Sequence, residues 1–219
     1  MSFINFGKLS RALLMAAVLV VGALVGTTAA QQKGTFTDSR DGQKYKTVTI
    51  GNQVWMAENL RFKVGDSWCY KNSDENCKKY GRLYDWNTAK TACPSGWHLP
   101  SNEEWDGLGS EDDNDNVTSK KLRTKSGWNA PKGQNGNGTD DYGFSALPGG
   151  QRMSVGGFCC AGNEGNWWGA GENGSAYLFK FYFGGGAGGN YREPLECDYC
   201  DGFTFDEEGT GFSVRCVKD

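Results

Sequence analysis

No part of this chain restricts its fold as much as the run from Gly81 to Leu108, GRLYDWNTAKTACPSGWHLPSNEEWDGL. Leu83, Trp86, Ala89, Lys90 and Cys93 recur at helical spacing, which predicts a helix that buries Leu83, Trp86 and Ala89 and ends on Cys93. Pro94-Ser95-Gly96 stops it, because proline cannot extend the hydrogen-bond ladder and glycine tolerates the turn. A short extended piece follows. Ser101 with Glu104 is then a capping box, so a second helix starts there with Trp105 and Leu108 on its buried side. Architecture is well determined by this run, but chemistry is not. His98 is the only histidine; alone it cannot supply a two-histidine metal site, and between Trp97 and Leu99 it is expected to pack rather than to act as a base.

The first thirty residues stand apart from fold reasoning. Lys8 and Arg11 precede an apolar run from Ala12 to Gly26, and Thr28 and Ala30 are small residues before Gln31. That order reads as a signal peptide cut after Ala30, since about 15 apolar residues fall short of the roughly 20 that span a bilayer. Residues 31–219 then form a single exported domain with no transmembrane segment, secreted or held at the cell surface. The full chain has 23 basic and 26 acidic residues; without Lys8 and Arg11 the basic count is 21 and the net charge −5. Nucleic acid and anionic membranes attract basic surfaces, so neither is an expected partner. All eight cysteines lie beyond residue 30, and an even number in an exported chain points to four disulfides.

Along the mature chain, Thr35–Thr37 and Tyr45–Ile50 read as strands, with Asp41-Gly42 a turn between them. Gly51-Asn52 makes a hairpin turn into Gln53–Ala57. A loop follows that holds Cys69 and Cys77, whose local bridge is the simplest pairing. Asp112, Asp113 and Asp115 lie in an acidic stretch that offers oxygen ligands for calcium. The EF-hand spacing is absent, so a solvated loop with no cofactor is the expectation. Val117–Lys125 is a short basic element. From Gly133 to Gly174 the chain is rich in Gly, Asn and Asp yet studded with aromatic residues, which predicts an ordered loop region packed through Tyr142, Phe144, Leu147 and one of Trp167 and Trp168. Ala176–Phe183 is a strand with Tyr177, Phe179, Phe181 and Phe183 on one face, and Gly211–Val217 is the closing strand.

Four motifs carry a resemblance to a known family. They stand as Ile50-Gly51-Asn52-Gln53-Val54-Trp55-Met56-Ala57-Glu58-Asn59-Leu60; Cys93-Pro94-Ser95-Gly96-Trp97-His98-Leu99-Pro100 with Glu104-Trp105; Tyr142-Gly143-Phe144-Ser145-Ala146-Leu147-Pro148-Gly149-Gly150; and Gly211-Phe212-Ser213-Val214-Arg215-Cys216. Over about residues 35 to 218 the chain resembles the Fibrobacter succinogenes major paralogous domain family. That family looks like the formylglycine-generating-enzyme branch of the C-type lectin-like fold. The resemblance implies an α+β, disulfide-stapled domain in which two helices flank small antiparallel sheets, the chain ends pair, and a long ordered loop region lies between. It also implies export and a bridge from Cys93 to Cys216.

The remaining cysteines are Cys159, Cys160, Cys197 and Cys200. They could bind zinc as a four-thiolate set, or Cys197-x-x-Cys200 could be redox-active. In an oxidising compartment two disulfides, Cys159 and Cys160 each to one of Cys197 and Cys200, are simpler. Formylglycine-generating enzymes carry a copper-binding cysteine pair near this place. Here two residues separate the cysteines instead of four, which argues against a cysteine-dependent oxidoreductase. Calcium-dependent sugar binding in C-type lectins uses a Glu-Pro-Asn triplet and a Trp-Asn-Asp. This chain has Glu193-Pro194-Leu195 and Trp167-Trp168-Gly169. The expectation is therefore a non-catalytic binding or adhesion module for polysaccharide, or for a cell-surface protein. Its aromatic contacts would come from Trp168, Tyr191, Tyr199 and Trp68, on loops near 129–175 and 185–205.

Overall fold

The computed structural model describes residues 31–108, 115–171, 174–182, 190–194 and 209–219, all within one compact unit, Gln31–Asp219. The expected signal segment lies outside the described residues, as do Phe183, Asp112, Asp113, Cys197, Tyr199 and Cys200. Among the described residues no helix is long and apolar enough to cross a membrane.

The architecture is mixed α and β, with short helices and small sheets. β1 (Lys33–Thr37), β2 (Lys44–Ile50) and β3 (Gln53–Met56) form an antiparallel meander, and the β2–β3 turn at Gly51 has φ 59°. Gly51-Asn52 therefore makes the two-residue turn that its composition calls for. β4 (Ser67–Trp68) leads into a 3-10 turn and α1 (Asp74–Tyr80). Cys69 and Cys77 are bonded across this element, so the expected loop holds a helix. Its sequence signal is Asp74 and Glu75 in the first turn with Lys78 and Lys79 in the last, a charge order that suits the helix dipole.

β5 (Leu83–Tyr84) precedes α2 (Trp86–Ala92), which Asp85 caps through the Thr88 N–H. Leu83 thus belongs to a strand rather than to the helix, because the Asp85 cap sets the helix start two residues later. β6 (Trp97–His98) and α3 (Asn102–Asp106) follow, and α3 has the full capping box of Ser101 and Glu104. Trp105 and Leu108 are buried as the spacing requires. α4 (Asp115–Leu122) occupies the start of the basic element, so the described residues hold four α-helices where two were expected. β7 (Gln151–Arg152) and β8 (Phe158–Cys159) make a small hairpin.

β9 (Glu164–Ala170), β10 (Ala176–Tyr182) and β11 (Asn190–Pro194) are antiparallel neighbours. β9 turns the expected glycine-rich loop into a central strand. Its pleat sends Trp167 and Trp168 to opposite faces, and both are fully buried. Trp167 faces Phe179, Phe181, Trp105 and Phe144, with Trp105 stacked on Phe179 at 4.2 Å. Trp168 shares the other core with Leu178, Trp86, Phe212 and Val214.

The closing segment is two short strands, not one. β12 (Phe212–Ser213) pairs with β5 and β9, giving the order β11-β10-β9-β12-β5-β4; β13 (Val217–Lys218) pairs with β3 and β6, giving β1-β2-β3-β13-β6. Between them the Leu60 N–H donates to Val214 O at 2.8 Å and the Met56 N–H to Cys216 O at 3.0 Å. The segment crosses from one sheet to the other, and alternation continues through the crossing: Phe212, Val214 and Cys216 join the Trp168 core. The first and last strands share one sheet but do not pair as expected, because β2 and β3 stand between β1 and β13.

Cys93 caps the end of α2 and is bonded to Cys216, with Cα atoms 5.9 Å apart and a sequence separation of 123. This is the pairing that the resemblance implied. Cys159 and Cys160, in contrast, are bonded to each other. Cys160 adopts a left-handed conformation (φ 72°), and that turn brings the adjacent side chains together. The expected bridges from this pair to Cys197 and Cys200 are corrected accordingly, and a four-thiolate zinc site loses two of its ligands. Replacing Cys93 and Cys216 together by serine should lower unfolding free energy by roughly 4–5 kcal/mol in the chain-entropy picture of so long a loop. Chemical denaturation of the two proteins measures it, and an unchanged midpoint would contradict a bond closing that loop.

Candidate binding groove over Asn59

Asn59 follows β3 and is buried at the sheet crossover. Its Oδ1 accepts from the Trp167 Nε1–H at 2.9 Å, Arg215 Nη2 at 2.7 Å and Arg215 Nε at 3.1 Å. Its Nδ2 donates to Tyr80 O at 2.8 Å and to Ser213 Oγ at 3.3 Å. Arg215 is fully buried and also donates to the carbonyls of Phe144 and Ser145, with its guanidinium 4.2 Å over the Phe144 ring. No carboxylate pairs with it among the described residues. Burial pulls its pKa down from 12.5 to about 9, with Asp140 and Glu58 opposing the shift, so it stays charged at neutral pH.

Above Asn59 opens a groove of about 160 Å³. Lys46 of β2, with Glu58 and Arg61 beyond β3, forms one wall. Lys78, Lys79 and Tyr80 at the end of α1 form the other, and Ser145 and Leu147 close it. Gly81 permits the close approach of these walls: its φ is 82°, and a Cβ there would stand 2.6 Å from that of Asn59. Arg61 is held by Gln43 Oε1 at 3.0 Å and Lys44 O at 2.8 Å, and it lies 3.7 Å from Glu58. The Lys78 ammonium pairs with Glu75 at 2.8 Å. Lys46 and Lys79 have no carboxylate partner among the described residues.

Of the aromatic residues expected to bind sugar, Tyr199 lies outside the described residues, and Trp168, Trp68 and Tyr191 stand in different parts of one sheet. Trp168 has 0% exposure; its indole N–H donates to Tyr84 O and its ring packs on Phe212 and Trp86. It is a core residue, because strand alternation inside a doubly covered sheet leaves it no path to solvent. Trp68 is half-buried on β4, with the Arg152 guanidinium 3.9 Å over its ring. Tyr191 stands on β11 in register with Lys180. β4 and β11 are the opposite edges of one six-stranded sheet, roughly 24 Å apart at the usual strand spacing. Trp68 and Tyr191 therefore cannot grip one sugar ring together. Asp115 opens α4, and among the described residues no group of three His, Cys, Asp or Glu is arranged to hold a metal.

His98 is half-buried between two carboxylates. Its Nε2 lies 2.9 Å from both Glu104 oxygens and its Nδ1 2.7 Å from Asp219 Oδ1. Glu104 also accepts from the Ser101 N–H and from Gln53. The imidazole thus links the α3 cap to the last residue of the chain. Burial draws its pKa down, but the hydrogen bonds and charges of Asp219 and Glu104 outweigh this and raise it above 6.5.

The fold defines a small disulfide-closed domain with a polar groove set on an aromatic core. The chain belongs to the Fibrobacter succinogenes major domain family, whose model matches residues 48–218. No curated protein and no solved structure matches it. The sequence did not bring the groove residues together because they come from four separate segments, at 46, 57–61, 78–81 and 145–147. The Lys78-Lys79 pair closing a helix was the one local signal.

Two predictions follow from these contacts. Asn59→Ala leaves Arg215 buried without its main acceptor and should cost roughly 3–5 kcal/mol, whereas Asn59→Leu with Arg215→Met should recover part of that loss; urea denaturation reads both. The raised His98 pKa means that its protonated form stabilises the fold below pH 6.5, and that this contribution disappears as pH rises through the folded-state value. The melting temperature of wild type should exceed that of His98→Gln at about pH 5.5, and the gap should close by about pH 9. A gap independent of pH would contradict the ionic link.

Proposed function

We propose that the protein is an exported, non-catalytic binding module of C-type lectin-like fold, and that it takes a segment of polysaccharide in the groove over Asn59. The groove carries this reading: a polar cleft of about 160 Å³ over Asn59, which is hydrogen-bonded to Tyr80 O on one side and to the buried Trp167 and Arg215 on the other. Preorganised walls reduce the ordering cost of binding. Tyr80 brings an aromatic ring to the lining, with the Lys79 ammonium 4.6 Å over it, and Glu58 a carboxylate that accepts from the Lys46 N–H at 2.7 Å and has lone pairs left for a sugar hydroxyl. The apolar, small-residue-bounded N-terminus and the disulfides support export. Paired helices around the Cys93 clasp and chain ends in a common sheet support the lectin-like assignment.

A cysteine-dependent oxidoreductase would need reactive thiols at Cys197 and Cys200, and the native protein is expected to have none by thiol titration. The secreted protein should be retained on at least one immobilised polysaccharide, and Tyr80→Ala should reduce that retention several-fold without lowering the melting temperature. Failure to bind any member of a broad glycan panel, or equal retention of wild type and Tyr80→Ala, would overturn the assignment.

A further inference from the structure

We propose that the groove selects an acidic sugar unit, one bearing a carboxylate or a sulfate ester, within a polysaccharide; the inference rests on the binding-module reading above. Its lining holds four cations, Lys46, Arg61, Lys78 and Lys79, against one carboxylate, Glu58. The chain as a whole is acidic, with a net charge of −3, so the groove reverses the sign of the molecule around it. A field of that kind concentrates anions at the site.

Two neutral polar side chains of the groove, Asn59 and Ser145, are already committed. Asn59 makes five hydrogen bonds to the protein. Ser145 donates through its hydroxyl to Asp140 at 2.8 Å and through its N–H at 2.7 Å. Arg61 is fixed by Gln43 and Lys44, and Lys78 by Glu75. Lys46 and Lys79 line the groove from β2 and α1 and have no carboxylate partner among the described residues, although the Lys79 ammonium lies 4.6 Å over the Tyr80 ring. An anionic group in the groove would draw on both. A volume of about 160 Å³ lies below the 300–1,000 Å³ typical of pockets for drug-sized ligands, which suits one charged unit of a longer polymer.

Affinity electrophoresis of the full secreted chain tests this, with polygalacturonate, dextran sulfate or a neutral glucan in the gel. Three proteins are compared: wild type, Lys46→Gln with Lys79→Gln, and Lys132→Gln as a distant exposed lysine. Wild type should be retarded by at least one acidic polymer and little by the glucan, and the effect should weaken with salt because the charges are solvent-exposed. The double variant should lose about tenfold in affinity, the scale of two exposed ion pairs, with its melting temperature unchanged. Lys132→Gln should match wild type. Retardation by polygalacturonate alone or by dextran sulfate alone identifies which anion is read. Equal retardation of wild type and the double variant overturns the inference, as does a loss equally large in Lys132→Gln. Binding to the neutral glucan as strong as to the acidic polymers overturns acidic selectivity but leaves the polysaccharide module intact. Retardation by none of the three polymers overturns this inference, and only the broader panel then decides the module.

Discussion

A buried guanidinium with no carboxylate partner among the described residues organises this molecule. Arg215 is sealed between the two sheets, and its charge is balanced by carbonyl dipoles, the Phe144 ring and above all Asn59 Oδ1. Such a group is costly to desolvate, so the elements that satisfy it cannot drift apart without exposing an unpaired buried charge. Asn59 passes the constraint on, to β9 through Trp167, to β12 through Ser213 and to the end of α1 through Tyr80. The covalent clasp from Cys93 to Cys216 lies next to this hub in the chain. Hydrogen bonding and the disulfide therefore act on the same crossover.

Around the hub the cores divide according to strand geometry. Trp167 and Trp168 are adjacent in sequence and belong to different cores, since successive strand residues point to opposite faces. Their neighbours on β10 repeat the division, with Phe179 opposite Trp167 and Leu178 opposite Trp168. Burial on both faces places Trp167, Trp168, Phe179 and Phe181 in the cores. The exposed chemistry is instead carried by charged residues on the ends of β2 and α1, where the hub fixes the backbone but leaves lysine side chains in water.

The family motifs can be read as parts of this arrangement. Asn59 lies in the first motif, Phe144 and Ser145 in the third, and Arg215 in the fourth. His98 and Glu104 of the second close a separate ionic link to Asp219. Most of what makes the family recognisable is thus occupied in holding the frame together, which is why the motifs announce a fold so clearly and a chemistry so poorly.

Local patterns in the sequence determined the β1–β3 meander, the turn at Gly51-Asn52, the helix ending at Cys93, the break at Pro94 and the capping box at Ser101. Each depends on residues within about four positions of one another, where periodicity, caps and turn chemistry act directly. The α1 helix was locally encoded as well, by its charge order, though the cysteines before and within it drew it toward a loop. Only tertiary structure decided that Gly165–Gly169 is a central strand, that Trp168 is core, that Cys159 bonds to Cys160, and that Lys46, Glu58 and Lys79 line one groove. Those outcomes depend on which faces are covered and which distant segments meet, and the contacts of Asn59 with Trp167 and Arg215 span 108 and 156 residues. No spacing rule reaches that far along a chain.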